Sequence, residues 1–385
     1  MIDEAIKRLD DSYTRRLTEE MIKIPSVVGD EAELAEYIRL ELESLGLETT
    51  THMVHPNRPN IYAKIKMGEG KRLNFNGHTD TVPVVNGWDT DPFTPVQKGD
   101  KLHGLGSCDM KAGIACTLNM VRAIMNSGVE FKGELSVSAV IDEEAMGDGA
   151  VAMLDTEYGN VDACVLAEPY PADESKPVPL GIVGKLLYDI HVHGVAAHGF
   201  RPEDGVNAVE DAGKILANLD KLNLRTHSKF EKGNYSTLKI EGGYDVYSVV
   251  VPAYCRFEVN RLIVPGETVD SAIKDMEELV ESLHLKSRVE VNVKPPKYES
   301  FEMNPEEPIL KLFHKVYTDV MGVEPLYQYS KSITDANTLT GVGGIPCLHL
   351  GPKRGDTHKA NEYVPLSWLP PVSEMYTRIA LGYLS

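Results

Sequence analysis

A single hydrophobic core stops growing near roughly 250–300 residues, so a chain of 385 residues is expected to form two domains. Its 39 Lys and Arg against 58 Asp and Glu give a formal charge of −19, which would repel phosphate backbones and anionic membrane surfaces and excludes nucleic acid and membrane as expected partners. The five cysteines (Cys108, Cys116, Cys164, Cys255 and Cys347) are widely spaced with no CxxC pair, so no disulfide framework is implied. No apolar stretch approaches the roughly 18 residues of a spanning helix, and the first ten residues lack the apolar run of a signal peptide. A cytoplasmic protein is expected.

In chain order, apolar spacing predicts amphipathic helices over 3–22 and 31–45, the second placing Leu34, Ile38, Leu40, Leu42 and Leu45 near one side. Apolar runs suited to strands follow at 61–65, 73–76, 135–141 and 163–166, with a helix over 112–125 between the middle pair. Strands alternating with helices predict an α/β layer structure. His78, the pair Glu143 and Glu144, and Glu168 each follow one of these runs, where open α/β sheets place ligands. The proline-rich segment 169–179 predicts a linker and a domain boundary. Beyond it the order strand 185–192, helix 206–218, strands 236–240 and 254–262, helix 268–283, strand 288–293 predicts a small split-βαβ domain. Pro295-Pro296 closes it, and the chain returns with a helix near 309–320 and a strand-like run at 346–350. The expected first domain is therefore discontinuous, 1–180 with 296–385, around a second domain over 181–295.

Chemistry concentrates in a few segments. In Gly77-His78-Thr79-Asp80-Thr81-Val82-Pro83 a histidine and an aspartate lie two residues apart, so strand alternation puts both side chains on one side. A metal-bound imidazole needs an acceptor for its second nitrogen, and Asp80 can serve; a surface turn would carry the same residues without a metal. In Gly106-Ser107-Cys108-Asp109-Met110-Lys111-Ala112-Gly113, Asp109 precedes a helix and has two oxygens with which to bridge two cations, or to act as an N-cap. Cys108 reads as a buried, inert thiol, because no second soft ligand is near it. Asp142-Glu143-Glu144 ends a strand and precedes Gly147 and Gly149, so the turning chain can aim one carboxylate at a metal and its neighbour at substrate; a solvated acidic loop is the plainer alternative. With Glu168 and His358, two histidines and three carboxylates form a set suited to two nitrogen- and oxygen-liganded divalent ions, zinc or a similar borderline metal.

These segments, together with Ala167-Glu168-Pro169, Ala197-His198-Gly199 and the histidine before Lys359-Ala360-Asn361-Glu362, resemble the M20 family of metallopeptidases nearly end to end. That family includes acetylornithine deacetylase, succinyl-diaminopimelate desuccinylase, aminoacylases and carboxypeptidase G2. The resemblance implies a zinc-peptidase-like catalytic domain with a central mixed sheet and an inserted ferredoxin-like α+β lid and dimerisation domain. It further implies two divalent ions, zinc or cobalt: His78 and Glu168 on one, Glu144 and His358 on the other, Asp109 bridging. Asp80 would orient His78, and Glu143 would be the general base, taking a proton from a metal-bridging water and passing it to the leaving nitrogen. His198 resembles the family histidine that reaches from the lid of one subunit into the active site of the other, which implies a homodimer.

The family's usual asparagine and arginine for a substrate carboxylate fall here on Val249 and Leu262. Arg261 is one residue off and would face the other way in a strand, as a packing or surface arginine. Arg201, Lys331, Lys353 and Arg354 are other candidate cations, unless the substrate has no carboxylate there. Thr334-Asp335-Ala336-Asn337 resembles the family's Asp-Ala-Asn segment near the substrate channel. The expected activity is hydrolysis of the amide bond of an N-acylated amino acid or a short peptide. Exopeptidase action and a non-catalytic small-molecule binding role are the alternatives.

Overall fold

The computed structural model describes residues 2–385 and divides them into two units. The first runs to Leu180 and takes in Met303–Gln328 and Thr334–Ser385; the second comprises Gly181–Glu302 and Tyr329–Ile333.

The first unit is built on a mixed six-stranded sheet in the spatial order Thr49–His55, Arg58–Met67, Gly133–Val140, Arg72–His78, Ala163–Leu166, Cys347–His349. The first two neighbour pairs are antiparallel and the remaining three parallel. Gly133–Val140 is buried at every residue, the continuous pattern of a strand covered on both faces rather than the alternation of a half-exposed one. Its serines need partners there, and Asn74 Nδ2 donates to Ser136 Oγ at 2.9 Å and Ser138 Oγ at 2.7 Å. The four mutually parallel strands end on the same edge, which carries His78, the turn after Val140, Glu168 and the loop leading to His358.

The second unit follows the order β-α-β-β-α-β: Gly184–His193, Ala208–Leu216, Asn234–Gly242, Tyr254–Ile263, Val269–Ser282, Arg288–Tyr298. Its four strands lie along the sheet in the order second, third, first, fourth, that is Asn234–Gly242, Tyr254–Ile263, Gly184–His193, Arg288–Tyr298, with every neighbour antiparallel. Burial alternates along Gly184–His193, and its inward residues Leu186, Tyr188, Ile190 and Val192 pack with Ala212, Ile215, Met276 and Leu279 of the two helices.

Several elements differ from the sequence expectation. The helix expected over 3–22 is two, Ile2–Ile6 and Asp11–Lys23, because Asp10 caps the second and accepts from the N–H groups of Ser12 and Tyr13. Thr49–His55 is an edge strand with no alternating apolar pattern, held by its ladder to Arg58–Met67. The segment expected to be a linker is pinned: Tyr170, Pro171 and Ala172 are buried, and Tyr317 donates its hydroxyl to the Pro171 carbonyl at 2.8 Å. The chain returns to the first unit after Glu302 rather than at 295–296, since Pro295 and Pro296 lie inside the edge strand Arg288–Tyr298, where a missing N–H costs no ladder bond on the open side. Among the described residues no helix is long and apolar enough to cross a membrane, and all five cysteines are free and buried.

Candidate metal centre

His78 is the last residue of its strand and is 1% exposed. Its Nδ1 donates to the carbonyl oxygen of Asp80 at 2.9 Å, with the Asp80 carboxylate farther off at 3.7 Å. On a neutral ring this leaves the lone pair on Nε2, the atom that faces Asp109 and Glu168, as a ligand requires. Asp80 therefore fixes the ring through its backbone. Its carboxylate instead accepts from the N–H groups of Glu143 at 3.2 Å and Glu144 at 2.9 Å, holding the turn on which both acids stand. The turn begins at Asp142, which has a left-handed φ of 73° and whose carboxylate is bound by Arg58 at 2.6 Å.

Asp109 is no helix cap. The helix Ala112–Ser127 starts after Lys111 with no side-chain cap, and the Asp109 carboxylate points to two imidazoles. Its Oδ1 lies 3.2 Å from His78 Nε2 and its Oδ2 3.5 Å from His358 Nε2. Glu168 Oε1 is 3.7 Å from His78 Nε2, and Glu144 Oε1 is 2.9 Å from His358 Nε2. Three sets bring their ligand atoms within 4.8 Å of one another: His78, Asp109 and Glu168; His78, Glu143 and Glu144; Asp109, Glu144 and His358. Asp109 thus belongs to two sets through different oxygens. Cys108 lies beside this cluster as a buried thiol pushed up by burial, then by Glu362 and Asp109, the opposite of a thiolate ligand.

The electrostatics follow from crowding carboxylates out of water. Burial, and then the charge of Asp109, pushes Glu168 up to about 7. Burial, and then Glu168, holds Glu143 well above the usual carboxylate range. Hydrogen bonds to Asp109 and Glu144 push His358 up to about 10. Burial pulls His78 down, but Asp109, Asp80, Glu143 and Glu168 together outweigh it and hold it well above its ordinary value. Four carboxylates and two imidazoles in contact are an anionic hole that favours any available cation. Oxygen and nitrogen donors in this number fit borderline divalent metals.

Two groups at the site have no role in the sequence reading. Glu362, 1% exposed, accepts from the N–H groups of Gly106 at 3.1 Å, Cys108 at 3.0 Å and Asp109 at 3.2 Å, so it holds the loop that aims Asp109. Tyr170, two residues past Glu168, is fully buried with no hydrogen-bond partner for its hydroxyl, and Lys176 Nζ stands 4.0 Å over its ring. Asp335 is 4% exposed; burial, opposed by His78 and reinforced by Asp80 and Glu168, holds its carboxyl well above the ordinary range. Thr334 meets His349 Nε2 at 2.9 Å.

His198 lies in the second unit on an exposed loop, bridged to Val250, with its Nδ1 accepting from Phe200 N–H at 3.2 Å. Arg261, also in the second unit, is fully buried: its guanidinium donates to Glu267 and Asp275, each at 2.8 Å. Leu262 faces the other way, against Val183, Phe230 and Val264. Of the remaining cations, Lys353 is paired with Asp173 at 2.8 Å and Lys331 stands 3.7 Å from Glu231, while Arg201 and Arg354 are exposed.

With this geometry in place, the comparison with known families is decisive: residues 74–382 match the model of peptidase family M20/M25/M40. The chain belongs to that family. Among M20 relatives, it is 24% identical over 362 residues to a succinyl-diaminopimelate desuccinylase of a Sulfurovum species, covering 92% of this chain and 95% of the relative. It is 27% identical over 378 residues to the N-formyl-4-amino-5-aminomethyl-2-methylpyrimidine deformylase of Bacillus subtilis, covering 89% and 86%. A tripeptidase from Staphylococcus aureus has the same α/β fold, with a TM-score of 0.76 at 21% identity over 98% of this chain and 99% of that one.

Proposed function

We propose that this M20 hydrolase cleaves the amide bond of an N-acylated amino acid or short peptide with water as nucleophile and Glu143 as general base. The observation that carries the reading is Asp109, whose two oxygens face His78 and His358 separately while Glu143 shares a cluster with His78 and Glu144. In this reading His78 and Glu168 hold one divalent ion, Glu144 and His358 the other, and Asp109 both. Zinc or cobalt, when bound there, supplies a Lewis acid for the scissile carbonyl and lowers the pKa of an attacking water. The raised affinity of Glu143 for a proton, caused by burial and then Glu168, suits a base that must carry that proton to the leaving nitrogen. The desuccinylase and deformylase likenesses over most of the chain favour deacylation over peptide cleavage.

The second unit serves as the lid and dimerisation domain. Supporting this, its edge strand Asn234–Gly242 leaves Leu238 59% and Ile240 51% exposed, and Tyr247 in the following loop is 95% exposed. His198, donating to the developing oxyanion of the partner subunit's substrate, is the role proposed for its exposed loop. Five free, buried thiols agree with a reducing, cytoplasmic setting.

Glu143→Gln tests the mechanism: metal content by mass spectrometry should stay near the wild-type value while hydrolysis falls by about 10²–10⁴-fold. Unchanged turnover would overturn the assignment of the base. Light scattering that finds only a fully active monomer would remove His198 from its role in trans.

A further inference from the structure

Glu143 and Glu144 are chain neighbours with different work, so the rotation of the turn they stand on decides which carboxylate meets metal and which is left for the water. Three side chains outside the ligand set hold that turn. Asn60 spans it, accepting from Ile141 N–H at 3.0 Å and donating to the Gly149 carbonyl at 2.8 Å. Asp80 accepts from the N–H groups of Glu143 and Glu144. Arg58, two positions before Asn60 on the strand Arg58–Met67 and therefore on the same side of it, donates through Nη2 to the Asp142 carboxylate at 2.6 Å. Asp142 needs that hold: its φ is 73°, and a residue other than glycine keeps a left-handed conformation only where its surroundings over-determine it. Its second oxygen accepts from Met146 N–H at 3.1 Å, so one carboxylate ties the start of the turn to its far side.

Arg58 is itself fixed. Its Nε donates to Glu31 Oε2 at 2.8 Å and its Nη2 to Glu31 Oε1 at 2.5 Å, the two-pronged pairing of a planar guanidinium with a carboxylate. Glu31 is fully buried and accepts from Gly29 N–H at 3.0 Å. The same loop returns to the site: Val28 N–H donates to the Thr81 carbonyl at 3.0 Å, and Thr81 N–H, one residue past Asp80, donates to the Ser26 carbonyl at 2.8 Å. The contacts close a ring, from Asp80 through the N–H groups of Glu143 and Glu144 to Asp142, Arg58, Glu31 and the loop 26–31, and back to Thr81. Two buried carboxylates around one guanidinium leave a net negative charge out of water, a poor source of stability where packed apolar side chains would do as well or better. What the arrangement supplies is a fixed orientation of residue 142.

We propose that Arg58, backed by Glu31, is a positioning residue of the reaction: it sets the rotation of the turn after Val140, so that Glu144 faces His358 and Glu143 is kept as the base. The inference rests on the hydrolase reading above and concerns how its base is held. Zinc-saturated enzyme is assayed on N-acetylmethionine and alanylalanine, and calorimetry records the thermal transition of each variant. Arg58→Met leaves two buried carboxylates facing one another and can cost the fold. Arg58→Lys, which keeps the charge but not the two-pronged pairing, and Glu31→Gln, which keeps the shape, therefore stand beside it and decide by the same criterion. On whichever substrate the wild type cleaves, kcat well below the transition should fall roughly tenfold to a hundredfold in Arg58→Met with KM near the wild-type value, and by a smaller factor in the other two. A lowered transition with wild-type kcat, or a loss carried by KM, makes the triad a stabilising contact and overturns the proposal. Chelator competition for zinc is the readout apart from turnover. Should the wild type cleave neither substrate, the hydrolase reading fails by itself; a roughly tenfold weaker zinc affinity in Arg58→Lys, whose turn carries Glu144, then upholds the positioning role, and an unchanged affinity refutes it.

Discussion

Arg261→Met separates a packing arginine from a substrate-binding one. The guanidinium is fully buried and makes five contacts: Nη2 donates to Glu267 at 2.8 Å, Asp275 at 2.8 Å and the Asn223 carbonyl at 3.2 Å, and Nη1 to the Tyr188 hydroxyl at 3.2 Å and the Ala272 carbonyl at 3.3 Å. Methionine approximates the aliphatic stem, so the loss is electrostatic rather than a cavity. Glu267, with its side chain 1% exposed, would keep only Val264 N–H at 2.9 Å, whereas Asp275, at 18%, can turn to water. Removing one partner of a buried ion pair costs about 3–5 kcal/mol, and the partial escape of Asp275 places this case near the lower end. At roughly 3 °C per kcal/mol for a domain of this size, the transition of the second unit should fall by about 10 °C. Scanning calorimetry measures that shift, and parallel kinetics on N-acetylmethionine and its amide measure discrimination. An unmoved transition with a collapsed preference for the acid would refute the structural assignment and make Arg261 a substrate ligand.

Three further outcomes follow from the site. Glu362→Gln puts an amide where a carboxylate receives three backbone N–H groups, so metal affinity measured by competition with a chelator should weaken about 10–100-fold; an unchanged affinity would show that the loop aims Asp109 without Glu362. Adding zinc at a hundredfold excess over its Kd should stabilise the protein against chemical denaturation by about 2.7 kcal/mol for each ion bound, and the absence of any shift would exclude folded-state metal sites. His349 is fully buried, and burial, then Lys176, depresses it to about 3 from 6.5. A base held neutral in the folded protein leaves the unfolded chain binding more protons below pH 6.5. Stability therefore falls as pH drops from 6.5 toward 3, by up to about 4–5 kcal/mol, and is fully present above 6.5. His349→Gln should flatten that slope in urea titrations between pH 4 and 7, and an identical slope would assign acid lability to other groups.

The parts of the site legible in the sequence are those where local pattern and location coincide. An apolar run ending in His78, or in Glu143 and Glu144, announces both a buried strand and the strand end at which α/β sheets gather ligands. Asp109 was harder, because a carboxylate before a helix reads equally as a cap; only the approach of His78 and His358 to its two oxygens distinguishes the two. Glu362 stands in a segment that carries the family resemblance, but nothing local announces its role. Its work is to accept from backbone N–H groups some 250 positions earlier in the chain, which periodicity does not encode. The edge strand Thr49–His55 is invisible for a related reason: its ladder is made of backbone groups, and its side chains are mostly outside the core.

Tyr170 is hidden by composition. A stretch with four prolines reads as a linker, because proline removes donors and forbids helix, yet the same rigidity lets a short segment hold a fixed course across a sheet edge once a few contacts pin it. Tyr170 is buried in that course, and Lys176 is presented on it. Strand alternation, by contrast, did carry one prediction: it turns Arg261 toward Tyr188 and Ala272 of the core and Leu262 toward Val183, Phe230 and Val264, so Arg261 acts inside the unit as the packing arginine that its one-residue offset implies.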